Sequence, residues 1–158
     1  MRIKTAILFY IILSALGLLC HFAYGWIGAD ILKIFFPRNE SIFEHLKLLV
    51  IPTIVIMIID SIMYRAEGFQ GYVFGLLVAI VFMVAAHYTV TGIVGYSIMA
   101  IDIIIFFAST FIIMYYRYKK ITLGNMTASV IMLILILAFV EYFTFYPIEI
   151  PFFLAPQL

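Results

Sequence analysis

Charged side chains are scarce in this chain. Aspartate, glutamate, lysine and arginine make up 11% of its 158 residues, against about 25% in an ordinary soluble domain, which excludes a surface built to face water on all sides. The formal net charge is only +1, so there is no basic footprint for nucleic acid and none is expected as a partner. One cysteine, Cys20, rules out an internal disulfide and leaves the redox compartment unread. The eight methionines are scattered, which argues against a thioether copper site. Nor is there an H-E-x-x-H helix, a Walker loop, a G-x-S-x-G elbow or a dinucleotide fingerprint, so the familiar soluble-enzyme templates do not apply.

What fills the chain is apolar: 67% of residues are hydrophobic and the mean hydropathy is +1.24. Runs of spanning length lie at about 5–27, 41–64, 69–91, 96–117 and 127–146, each near the roughly 20 residues a bilayer demands. Lipid offers backbone amides no partner and the runs do not alternate as barrel strands do, so helices are required. The expected fold is an all-α, polytopic transmembrane bundle of five spans forming one integral membrane domain over residues 1–158, in contact with the lipid bilayer. The opening "MRIKTAILFYIILSALGLLC" has the basic start and apolar run of a signal peptide. Leu18 and Leu19 are ill suited to lipoprotein processing before Cys20 and the run continues to Ile27, so it is expected to stay attached as the first span.

Basic residues orient the bundle. Arg2, Lys4, Arg65, Arg117, Lys119 and Lys120 fall on one side and Lys33, Arg38 and Lys47 on the other, which favours an N-in, C-out topology in the cytoplasmic membrane of a prokaryotic cell. The tail "PIEIPFFLAPQL" is then outside, too interrupted by Pro147, Pro151 and Pro156 to span again. Ser41 is the expected N-cap of the second span with Glu44 completing a capping box, and Pro52 should kink that helix. Gly68, Gly71 and Gly75 open the third span at a spacing that permits close helix contact, and "TGIVGYS" is read as the turn that follows. Trp26, Tyr72, Tyr96, Tyr115, Tyr116 and Tyr146 fall near span ends as an aromatic belt.

Within this topology the ionisable residues share a depth. His21, His45, His87, Asp102 and Glu141 each lie roughly 6 to 9 Å below the outer end of their spans, with Glu44 and Lys47 in the same layer and Tyr24, Tyr88, Thr91 and Tyr142 able to add hydroxyls. Asp60 stands alone in the inner half, near Arg65. Charge inside a bilayer is costly, about 2.5 to 3.5 kcal/mol per residue at mid-helix, so one cavity shared by the layer is the economical arrangement. Plainer roles compete residue by residue: a carbonyl bond for His21 where Gly17 and Gly25 admit a neighbouring helix, a helix cap for Glu44, a solvated headgroup-level position for Glu40, and snorkelling or pairing with Glu44 for Lys47.

The stretch "PRNESIFEHLKLL", with "HFAYGW" upstream and "HYTVTGIVGYS" downstream, resembles a family of small prokaryotic multispanning proteins with a P-x-N-E-S-x-x-E-H-L-K pattern. Pro37, Asn39, Glu40, Ser41, Glu44, His45, Leu46 and Lys47 carry the resemblance, which extends over nearly all the chain. It implies a multispanning topology and supplies no activity, that family being one of unknown function.

Three functions fit these residues. In the first, His21, His45 and His87 ligate zinc for hydrolysis of a lipid or lipid-linked substrate, with Asp102, Glu141 and Glu44 as catalytic or orienting carboxylates and Glu40, Lys47, Tyr24, Tyr88 and Thr91 as binding residues. In the second, the layer is the solute or proton site of a transporter or of its membrane subunit, and a homo-oligomer supplies the symmetry that five spans lack. The third is a structural or accessory protein whose polar layer fastens the helices to one another.

Overall fold

The computed structural model describes residues 1–64 and 67–154. It contains α1 (Ile3–Ile27), a 3-10 turn (Asp30–Ile34), α2 (Ile42–His45), α3 (Lys47–Tyr64), α4 (Phe69–Val94), α5 (Met99–Lys119) and α6 (Met126–Phe145). There is no strand among the described residues. Helices α2 and α3 act together as one apolar length, giving five helices long and apolar enough to cross a membrane. The protein is therefore an all-helical, multi-pass membrane protein.

The second span is the axis of the bundle. Within its most apolar window 56% of residues are buried, against 22–33% in the other four spans, so the sequence around His45 has protein on most sides while α1, α4, α5 and α6 present their apolar faces outward. Small residues set the spacing. A Cβ at Gly71 would lie 3.1 Å from the Arg117 Cα and one at Gly75 would lie 3.0 Å from the Ile113 Cα, so the glycine row lets the α4 backbone lie against α5. Ser14 and Thr110 join α1 to α5 through a buried 3.0 Å hydroxyl pair.

Pro52 lies inside α3. Helix α3 runs through it, and the helical run is interrupted earlier, between His45 and Lys47. Proline has no N–H for the carbonyl four residues back, which is that of Leu48. This oxygen faces α1 at Gly17, where a Cβ would come within 2.9 Å of it and would overlap the Phe106 ring. Gly17 thus permits α1, α3 and α5 to meet at one point. Helix α4 also continues past Gly92 and ends at Gly95, whose φ of 88° makes the left-handed stop.

The opposite end of the bundle holds a buried ion pair. Arg65, expected beside Asp60, lies outside the described residues; Asp60 Oδ2 accepts from Arg117 Nε at 2.7 Å, with both side chains at most 3% exposed. Arg117 was read as a span-end charge and Tyr72 as a belt residue, yet both are buried, the guanidinium 5.7 Å from the Tyr72 ring. Gly68 makes the space, since a Cβ there would overlap the guanidinium. Among the described residues the tail forms no further span and packs back on the bundle. Phe152 O accepts from Phe43 N at 3.2 Å, and Phe152 and Phe153 pack on the Phe43 ring. Pro156 lies outside the described residues.

Candidate metal centre

The site begins with the turn that precedes α2. Asn39 Oδ1 accepts from Ser41 N at 2.9 Å, and Ser41 Oγ accepts from Glu44 N at 3.2 Å, so the N-cap is formed as its sequence suggests. The Ser41 carbonyl then takes His45 Nδ1 at 2.8 Å. A carbonyl only accepts, so Nδ1 carries the proton and the Nε2 of the neutral ring presents a lone pair. That lone pair meets His21 Nε2 at 3.2 Å, while Glu40 Oε2 lies 3.5 Å from each of the two nitrogens. These three donor atoms, one from α1, one from the turn and one from α2, are all within 4.8 Å of one another.

The size of the triangle is informative. An ion holding ligands tetrahedrally at about 2.0–2.1 Å separates them by about 3.3–3.4 Å, whereas an octahedral ion at the same distance separates neighbours by about 2.9 Å. The edges of 3.2, 3.5 and 3.5 Å fit the tetrahedral case. Imidazole nitrogen and carboxylate oxygen are zinc ligands, and three protein donors leave a fourth position open. The Ser41 carbonyl is the outer partner that holds His45 in the tautomer an ion requires.

The triangle lies at the wall of a cavity of about 410 Å³ that His87, Ser97 and Asp102 also line. His87 on α4 and Asp102 on α5 form a pair, Nδ1 to Oδ1 at 2.8 Å, and Ser97 Oγ donates to Asp102 Oδ2 at 2.6 Å. The carboxylate accepts the hydrogen bond from His87 Nδ1–H, which in the neutral ring leaves the lone pair on Nε2. The remaining walls are apolar, with Leu18, Ile42, Leu48, Met83, Ile105 and Phe106 among them.

Sequence comparison matches residues 2–156 to the family described as "Family of unknown function (DUF6512)". The chain belongs to that family. No curated protein and no solved structure matches it, so the geometry of this family member is the ground for reading its site.

Not every residue of the polar layer reaches the cavity. His87 lines it yet stands outside the three-donor cluster, bound to Asp102. Glu44 and Lys47 turn the other way: Lys47 Nζ donates to Glu44 Oε2 at 2.7 Å and to the Lys33 carbonyl at 2.6 Å, and Glu44 Oε2 also accepts from Arg38 N at 3.1 Å. Both side chains are essentially buried, at 1% and 0% exposure. Ser41 thus caps α2 by accepting from Glu44 N–H, while the Glu44 carboxylate goes to Arg38 and Lys47 and Ser41 N–H to Asn39, so the second half of a capping box is absent. Glu141 on α6 faces this ion cluster, within electrostatic reach of Lys47 and Glu44. The single cavity expected for the whole layer is therefore two separate arrangements.

The hydroxyl candidates also fall outside the lining. Thr91 donates to the His87 carbonyl at 2.9 Å, Tyr88 is exposed with its ring edge against His87, and Tyr24 is not a wall residue. Sequence reading passed over Ser97, whose place five residues before Asp102 at a helix start was a usable signal, and undervalued Glu40. Glu40 is 68% exposed. Its role in the cluster depends on a turn that swings it over two histidines.

Proposed function

We propose that this protein is a zinc-dependent membrane hydrolase whose ion is held by His21, Glu40 and His45 and whose lipid or lipid-linked substrate occupies the adjoining cavity at the outer leaflet. The observation that carries the reading is the triangle of electron-pair donors, with a histidine tautomer already set by Ser41. A zinc ion with three protein ligands supplies Lewis acidity and an activated water. The chain's own residues do the rest. His87 Nε2 is the base that takes the water's proton, Asp102 holds the ring by Nδ1–H, and Ser97 holds Asp102. The apolar walls seat the hydrocarbon part of the substrate and limit entry of water. In this reading Glu44, Lys47 and Glu141 support the turn that carries Glu40 and do not touch the reacting atoms.

The test is elemental mass spectrometry on protein purified in detergent without chelator. Near one zinc per chain is expected in the wild type and in His87→Ala, and near none in His21→Ala and His45→Ala, all four being monodisperse. A wild type that stays metal-free after a refill attempt overturns the reading. The pairing of two carboxylates with three histidines supports a second reading, a proton- or cation-coupled solute path; it expects metal-free protein and ion-dependent uptake in proteoliposomes.

A further inference from the structure

Among the described residues the cavity is lined by carboxylate and imidazole groups and by no lysine or arginine. Its ionisable wall residues are His21, Glu40, His45, His87 and Asp102. Three basic residues belong to this end of the chain and each is engaged elsewhere. Lys33 Nζ stands over the Phe145 ring at 5.2 Å, Arg38 Nε lies 3.3 Å from Glu44 Oε1, and Lys47 Nζ is on Glu44 and fully buried. With neutral imidazoles, the two carboxylates and one divalent zinc cancel, leaving no net positive charge for an anion.

A phosphate ester is an anion before it reacts and gains charge density in the transition state, and sites that cleave it supply arginine or lysine clamps or a second metal ion. A carboxylic ester or amide enters neutral. It needs one Lewis acid at its carbonyl oxygen and one base for the attacking water. The walls also suit an acyl chain. Leu18, Met99 and Ile103 line the cavity and are 38%, 77% and 40% exposed, while the seam between α1 and α5 is closed at the Gly17–Phe106 contact.

Resting on the hydrolase reading, we infer that the substrate is an uncharged acyl lipid, cleaved at its ester or amide carbonyl and not at a phosphate. Water adds to the carbonyl carbon, and its proton passes to His87 Nε2 and then to the leaving oxygen or nitrogen. The C–O or C–N bond breaks, giving a carboxylic acid and an alcohol or amine, with no change of oxidation state.

The experiment uses the full chain in detergent, its zinc content measured in the same samples, with two sets of mixed micelles. One contains diacylglycerol and ceramide. The other contains an ether-linked phosphatidic acid, which has a phosphomonoester and no acyl carbonyl. Release of fatty acid from a neutral lipid, without inorganic phosphate from the ether lipid, is the expected result. The rate should fall about 100-fold or more in His87→Ala with zinc retained. Zinc-loaded protein that releases phosphate, or that releases neither product, overturns the substrate assignment and leaves the metal site standing. Zinc-free wild type overturns the hydrolase reading, and this assignment with it.

Discussion

Two clusters of ionisable side chains stand at opposite ends of the bundle, and their contents differ in kind. At one end Asp60 and Arg117 are of opposite sign, 2.7 Å apart and almost fully buried. Each neutralises the other, and the pair joins α3 to α5 as a fastening. At the other end His21, Glu40 and His45 are all electron-pair donors, 21–68% exposed, turned toward one another at 3.2–3.5 Å. With its proton on Nε2 the neutral His21 ring donates to the His45 lone pair, and with its proton on Nδ1 the three atoms face one another as ligands for an ion, whereas the ion pair is complete in charge within the chain. The same contrast recurs within one turn of chain: Glu44 is buried against Lys47, while Glu40 reaches into the cavity.

The largest effect that would test this contrast is on stability. Removing one partner of a buried pair costs about 3–5 kcal/mol because the other charge is left uncompensated. Arg117→Met should therefore lower the thermal midpoint in detergent sharply, by fluorescence-detected unfolding, and Asp60→Leu together with Arg117→Met should recover most of the loss. If Arg117→Met were as stable as wild type, the pair would not be a fastening. Glu40→Ala should do the reverse, leaving apo-protein stability within about 0.5 kcal/mol, as for a surface change, while removing bound zinc.

Zinc itself sharpens the comparison. Ligand that binds only the folded state adds about 2.7 kcal/mol at a hundred times its dissociation constant, so the melting midpoint of wild type should rise on zinc titration and that of His21→Ala should not move. An equal rise in both would place the ion elsewhere. Next in size is Gly75→Leu, whose side chain has no room at the Ile113 backbone; overpacking of this kind costs about 1–3 kcal/mol and should appear in the melt with zinc stoichiometry retained. Ser41→Ala should have a smaller effect than Gly75→Leu. Loss of the cap costs about 1 kcal/mol and loosens the turn bearing Glu40, so zinc affinity should fall by several-fold in a competition titration, and not to nothing.

Helix count and limits were open to sequence reading because the signal is long and unambiguous. Each run is apolar for about 20 residues, and the observed spans differ from the expected ones by a few residues at their ends. The glycine row on α4 was legible too, since only small residues let backbones approach. Arg117 was not: a basic residue at the end of an apolar run looks the same whether it snorkels to water or turns inward, and the space that decides it is left by Gly68 on another helix. Glu44 and Glu40 were equally hard to separate. Both precede or open the same helix, and the rotation of that helix decides which carboxylate is buried with Lys47 and which meets the histidines.

Amino-acid order alone dictates that the chain crosses a membrane as five helices, because in lipid each backbone amide must find its partner within its own segment. It also brings the three histidines with Glu44, Asp102 and Glu141 toward one end and Asp60 toward the other, since depth follows from position along a helix of known rise. Which of them touch is settled by the folded chain. His21 and His45 are 24 residues apart and meet because Gly17 lets α1 close on α3 below them, while Glu40 joins them through a turn fixed by Asn39 and Ser41. Side-chain encounters depend on helix rotation and loop path, and these are set by packing between segments that no local pattern encodes.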